Sequence, residues 1–149
     1  MTEHLIIDAE NLIVGRMASF AAKKSLEGYT VDIVNVEKAL ITGSKMFIMK
    51  KLRERRHRTE PRWGPFFHRK EDRFVRRMIR GMLNYKQSRG REAYERILCH
   101  IGVPAQFQGK PMEKLPHMSI AKLKNLRFMD IKTICQLMGS KTFKMPGVK

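Results

Sequence analysis

The chain has 149 residues, 42% of them hydrophobic and 30% charged, enough for one domain with its own core and too few for two comfortable ones. Its 31 Lys+Arg against 14 Asp+Glu leave a formal net charge of +17, and a compact domain with that much charge of one sign repels itself unless it lies against a polyanion. No run approaches 18 uninterrupted apolar residues, so no segment reads as a membrane span, and Met1-Thr2-Glu3-His4 does not open a secretory signal.

In chain order, Leu5-Ile6-Ile7 reads as a short buried strand. Met17, Ala18, Ala21, Ala22 and Leu26 recur at helical spacing, and Gly28 suits the left-handed position beyond that helix. The run from Val31 to Val36 is a second strand and Ala39-Leu40-Ile41 a third, so the opening predicts an α/β domain with a parallel sheet and a right-handed first crossover. Thr42 or Ser44 can cap a helix that turns Met46, Phe47, Met49 and Leu52 inward. Pro61, Gly64 and Pro65 break the chain, and a helix resumes at Glu71-Asp72 and runs over 71–83. A further helical pattern follows Gln87-Ser88, and Ile97–Ile101 reads as a core strand. Gln106–Pro116 reads as an extended connection, and Ile131, Ile134, Cys135 and Met138 share one face of a small terminal helix stopped by Gly139.

The charge is concentrated. Residues 50–96 hold 17 Lys+Arg and 6 Asp+Glu, a net of +11 out of the +17. On the helix 71–83, Arg73, Arg76, Arg77 and Arg80 fall within one arc opposite Phe74, Val75, Met78, Ile79, Met82 and Leu83. Guanidinium is planar, weakly hydrated and donates paired hydrogen bonds to phosphate, and no acid follows at the four-residue spacing that relieves repulsion on a solvated face. Trp63, Phe66 and Phe67 lie between two arginine clusters, where aromatic rings either stack on unpaired bases or anchor the loop to the core.

Other chemistry is poorly supported. Asp8–Gly15 has one glycine where a dinucleotide turn needs three, and Thr42-Gly43-Ser44-Lys45 lacks the spacing of a nucleotide-triphosphate loop. Cys99 and Cys135 read as reduced core thiols, and no metal-ligand spacing or cofactor loop is present. An RNA-directed enzyme using His57 or His68 is the alternative function, but no paired carboxylates or activated nucleophile accompany them. A DNA-compacting protein is allowed by the charge, without any helix-turn-helix to support it.

Three stretches carry a resemblance. They are Gly15-Arg16-Met17-Ala18-Ser19 on to Gly28; Val34-Asn35-Val36-Glu37-Lys38 on to Ile41-Thr42-Gly43; and Ile79-Arg80-Gly81-Met82-Leu83 with Arg89-Gly90 and Gly102-Val103-Pro104. Together they resemble the universal large-subunit ribosomal protein L thirteen family, in its archaeal branch. The resemblance implies a three-layer α/β/α domain with a four-stranded, mostly parallel sheet and a basic insertion. It also implies a non-enzymatic constituent of the large ribosomal subunit that binds its rRNA, lies beside other large-subunit proteins in the cytoplasm and supports subunit assembly. No metal, cofactor, membrane or small-molecule substrate is expected. The candidate rRNA contacts are Lys45, Lys50, Lys51, Arg53, Arg55, Arg56, Arg58, Arg62, Trp63, Arg69, Lys70, Arg73, Arg76, Arg77, Arg80, Lys86, Arg89 and Arg91. The whole of 1–149 reads as one domain, with its RNA-binding segment at 50–96 and a variable extension at 105–149. One departure is Asn84, where the family usually has proline, which predicts that the helix runs slightly further here.

Overall fold

The computed structural model describes residues 3–58, 60, 62–64, 66–123 and 126–140. Through them the chain runs β1 (His4–Asp8), α1 (Val14–Leu26), β2 (Thr30–Val34), β3 (Leu40–Thr42), α2 (Lys45–His57), α3 (Glu71–Arg80), α4 (Ser88–Glu95), β4 (Ile97–Cys99), β5 (Phe128–Asp130) and α5 (Ile131–Leu137). The β-branched runs of β1, β2 and β4 pair in parallel in the order β1-β2-β4, with Ile7 beside Ile33 and Val31 beside Ile97.

Among the described residues, the expected four-stranded parallel sheet has three strands. The third predicted strand leaves it, and β3 pairs antiparallel with β5, Leu40 opposite Asp130. The link from β2 explains this. A single 3-10 turn, Val36–Lys38, separates the two strands, whereas a parallel crossover needs a dozen residues or more. Asn35 turns the chain out of the sheet at φ 55°, where its side-chain amide donates to Asp8 at 2.9 Å.

Alternation along the strands gives the sheet two unlike faces. Ile7, Val31, Ile33 and Ile97 join one large core that takes buried residues from all five helices. Ile6 and Val34 point the other way into a small cluster with Phe107, Val103 and Met112, so the covering there is the 103–112 stretch with its 3-10 turn at Ala105–Phe107. On that face Asp32 is buried between two imidazoles. His4 Nε2 and His100 Nε2 each lie 2.6 Å from one of its carboxylate oxygens, and both rings pack on Phe107.

On α1 the inward residues are Val14, Met17, Ala18, Ala21, Ala22 and Ser25, spaced i, i+3, i+4, i+7, i+8, i+11, which leaves Leu26 exposed rather than inward. The Ser25 hydroxyl donates to the Ala93 carbonyl and ties α1 to α4. Ser44 caps α2, its Oγ accepting from Phe47 N at 3.4 Å. The expectation that Met46 and Phe47 turn inward fails. The buried set is Ile48, Met49 and Leu52, and a helix that buries those three swings residues 46 and 47 outward, to 85% and 65% exposure. Nor does Asn84 prolong the third helix: α3 ends at Arg80 and the chain turns at Gly81, folding back so that α4 meets the turn at Gly90.

At the C-terminal end, the Asp130 carboxylate caps α5 by accepting from Thr133 N at 3.0 Å and Thr133 Oγ1 at 2.8 Å, and Ile131, Ile134, Cys135 and Met138 are buried as expected. Both cysteines are free, and desolvation pushes each thiol up to about 12. Pro61 and Pro65, expected helix breakers, and the last nine residues of the 105–149 extension lie outside the described residues; α2 ends at His57.

Candidate nucleic-acid interface

Helix α2 needs only a narrow apolar stripe to dock, so nearly all its circumference is left to charge. Lys45, Lys50, Lys51, Arg53, Arg55 and Arg56 on the helix, and Arg58 just past its end, are all exposed. Beyond it the chain closes a tight loop, with Glu60 N donating to Gly64 O at 3.4 Å and Gly64 N to Glu60 O at 3.0 Å. Gly64 takes φ +77°, and an added Cβ would press on Phe66 at 3.1 Å. The loop holds Arg62 and Trp63 in solvent, Trp63 at 85% exposure. Of the three aromatics there, Phe67 anchors the segment, packing edge-on against Phe74 at 5.9 Å, while Trp63 and Phe66 stay outside.

The arginine stripe of α3 is less uniform than its spacing predicts. Arg73 and Arg80 are exposed, whereas Arg76 and Arg77 are half-buried. The Arg76 guanidinium lies over Tyr94 at 4.6 Å and donates to the Tyr94 carbonyl at 3.4 Å, and its buried Nε has no hydrogen-bond partner among the described residues. Arg77 donates to the Phe66 carbonyl at 2.6 Å. Arg80 covers Tyr85 at 5.1 Å, and Tyr85 meets Tyr94 edge-on at 5.6 Å, so two cations bracket an aromatic pair. Spacing shows the stripe but not these stacks; tyrosines at 85 and 94 near an arginine helix were the signal available for them.

Arg69 and Lys70 precede α3, and Lys86, Arg89 and Arg91 follow it; all five are exposed. Of the six acidic residues in 50–96, Glu71 is buried and Glu92 lies 3.7 Å from Arg96. Between α2, α3 and the 67–68 segment runs a groove of about 700 Å³. Its floor is Ile41, Ile48, Leu52, Phe74 and Met78, flanked by Phe47, Phe67 and Met82, and its rim carries Lys51, Arg55, Arg58, His68 and Arg77. The groove draws on residues 41–82, far apart in sequence, which is why reading along the chain missed it.

His57 and His68 are exposed and project among cations. Among the described residues, no group of three or more His, Cys, Asp or Glu side chains is placed to hold a metal, and no helix is long and apolar enough to cross a membrane.

A parallel α/β sheet with a belt of exposed Lys and Arg on its helices defines a class, the basic α/β domains. Within that class, residues 2–106 match the family of ribosomal protein L13, and the chain belongs to that family. It is 39% identical over 137 residues to the large ribosomal subunit protein uL13 of Methanosarcina barkeri, covering 91% of this chain and 98% of that one. To the uL13 of Methanopyrus kandleri it is 36% identical over 147 residues, covering 97% and 91%. To that of Methanococcus maripaludis it is 46% identical over 104 residues, covering 67% and 76%.

Proposed function

We propose that this chain is a structural, non-catalytic constituent of the large ribosomal subunit that binds large-subunit rRNA through residues 45–91. The observation that carries the reading is the belt formed by α2, the Glu60–Gly64 loop and α3. Most of its cations stand in solvent, while Ile48, Met49, Leu52, Phe74, Val75 and Ile79 of the same helices are buried. A face of this composition gains free energy mainly by releasing counterions from a nucleic-acid backbone. Membership of a ribosomal protein family favours rRNA over DNA as that partner. The contacts are the eighteen residues named from the sequence, with one change of emphasis. Arg76 and Arg77 act mainly by holding Tyr94 and the Phe66 loop in place, and the exposed members reach phosphate. We read 1–149 as one domain, since α5 packs into the same core as α1 and α3, and we place it in cytoplasmic ribosomes beside other large-subunit proteins. Expressed in its own cell with a tag, the protein should co-sediment with large subunits and leave them only at high salt. A wholly free pool, with none on the subunit, would overturn the proposal.

A further inference from the structure

The groove between α2 and α3 has a composition that neither helix needs for its own packing. Phe47 and Met82 stand at its edge with 65% and 45% of their surface in solvent, although Ile48, Leu52 and Phe74 beside them are buried. Its rim bears Lys51, Arg55, Arg58 and Arg77, and among the described residues no carboxylate lines it. A largely apolar groove of about 700 Å³ lies within the roughly 300–1,000 Å³ range of small-molecule sites. We propose that this groove receives one unpaired nucleotide of RNA, its base between Phe47 and Met82 over the Ile48–Phe74 floor and its flanking phosphates on the rim cations.

Charge complementarity chooses the occupant. A basic protein tail is repelled by the rim, and a paired helix keeps its bases stacked and out of reach. A single-stranded nucleotide offers a flat apolar surface and anionic neighbours within one residue of it, and base recognition in RNA uses such unstacked positions. An acidic, apolar peptide is the other occupant that the charges allow, and the test includes it. The inference rests on the rRNA-binding reading and deepens it from a backbone contact to a base contact.

The full-length protein, labelled with ¹³C at its methionine methyls, is titrated with pentaadenylate, with an abasic backbone of the same length, with an RNA duplex and with a Glu/Leu peptide. Pentaadenylate should shift the Met78 and Met82 methyls by ring current, and the abasic backbone, the duplex and the peptide should not. Phe47→Ala, at an exposed position, should weaken pentaadenylate binding about tenfold, the scale of one base–aromatic stack, leave duplex binding unchanged, and be rescued by Phe47→Trp. Methyl shifts driven by the abasic backbone or by the peptide, or equal losses for single strand and duplex in Phe47→Ala, overturn the proposal while leaving rRNA binding by the belt intact. Failure of every RNA to bind overturns the functional reading itself.

Discussion

Gly90 sits where no side chain fits. An added Cβ would run into the Asn84 carbonyl, whose backbone is fixed by the turn that also accepts from Gln87 N at 3.1 Å. Gly90→Ala should therefore cost about 1–3 kcal/mol, as overpacking does. Gly15→Ala, at a position of α1 with open space around it, should be neutral or stabilising by up to about 1 kcal/mol. Urea unfolding of the two variants compares them directly, and equal effects would mean that the turn yields. Asp32 is the second residue-scale constraint. It is a buried carboxylate held by two histidines from β1 and the end of β4, so it staples all three strands of the sheet. Each hydrogen bond to such a charged group is worth about 1.5–3 kcal/mol. Asp32→Ala should lose on the order of 3 kcal/mol in denaturant unfolding, and Asp32→Asn less; a loss under about 0.5 kcal/mol in Asp32→Ala would show that the staple is idle.

At the scale of elements, α3 separates two jobs along one stripe. Arg73 projects to solvent and covers no ring, so Arg73→Gln should shrink the log–log salt slope of rRNA binding by roughly 0.7–0.9 and leave stability nearly unchanged. Arg76→Gln should instead reduce stability, because it removes the cover of Tyr94. Ile79→Ala, fully buried, should cost about 2–5 kcal/mol without altering the slope of the folded protein. If Arg76→Gln moved the slope as much as Arg73→Gln and left stability alone, the division would be wrong. Periodicity made α1, α3 and α5 legible in the sequence, since one face of each is apolar and little else competes. It misled on α2, where Met46 and Phe47 look like core residues by type but stand outside the stripe set by Ile48, Met49 and Leu52. It could not place β3, because a three-residue strand carries no mark of its partner, and that partner, β5, lies some 90 residues later in the chain. The candidate belt was legible because charge density is a local property. The groove was not, because it exists only once α2 and α3 are side by side.

At the scale of the whole molecule, a sheet with helices on one face leaves its outer helical surface free for charge. Residues near the strand ends tie that frame together. Asn35 N donates to the Gly102 carbonyl at 3.0 Å, Gly102 N donates to Glu37 Oε2 at 3.0 Å, and Gly102 takes φ +67° to do so. The frame is thus tied at β2 and β4, and the charge is presented on α2, the loop after it and α3. Binding of rRNA by the exposed cations of this belt is tested most directly by its salt dependence. The chain to measure carries Lys45→Gln, Lys50→Gln, Arg53→Gln and Arg56→Gln, all exposed and none lining the groove. With circular dichroism and melting unchanged, the slope for large-subunit rRNA should fall by about 3, at roughly 0.7–0.9 for each phosphate left without its cation. A slope equal to that of the unaltered protein would contradict rRNA binding through these side chains.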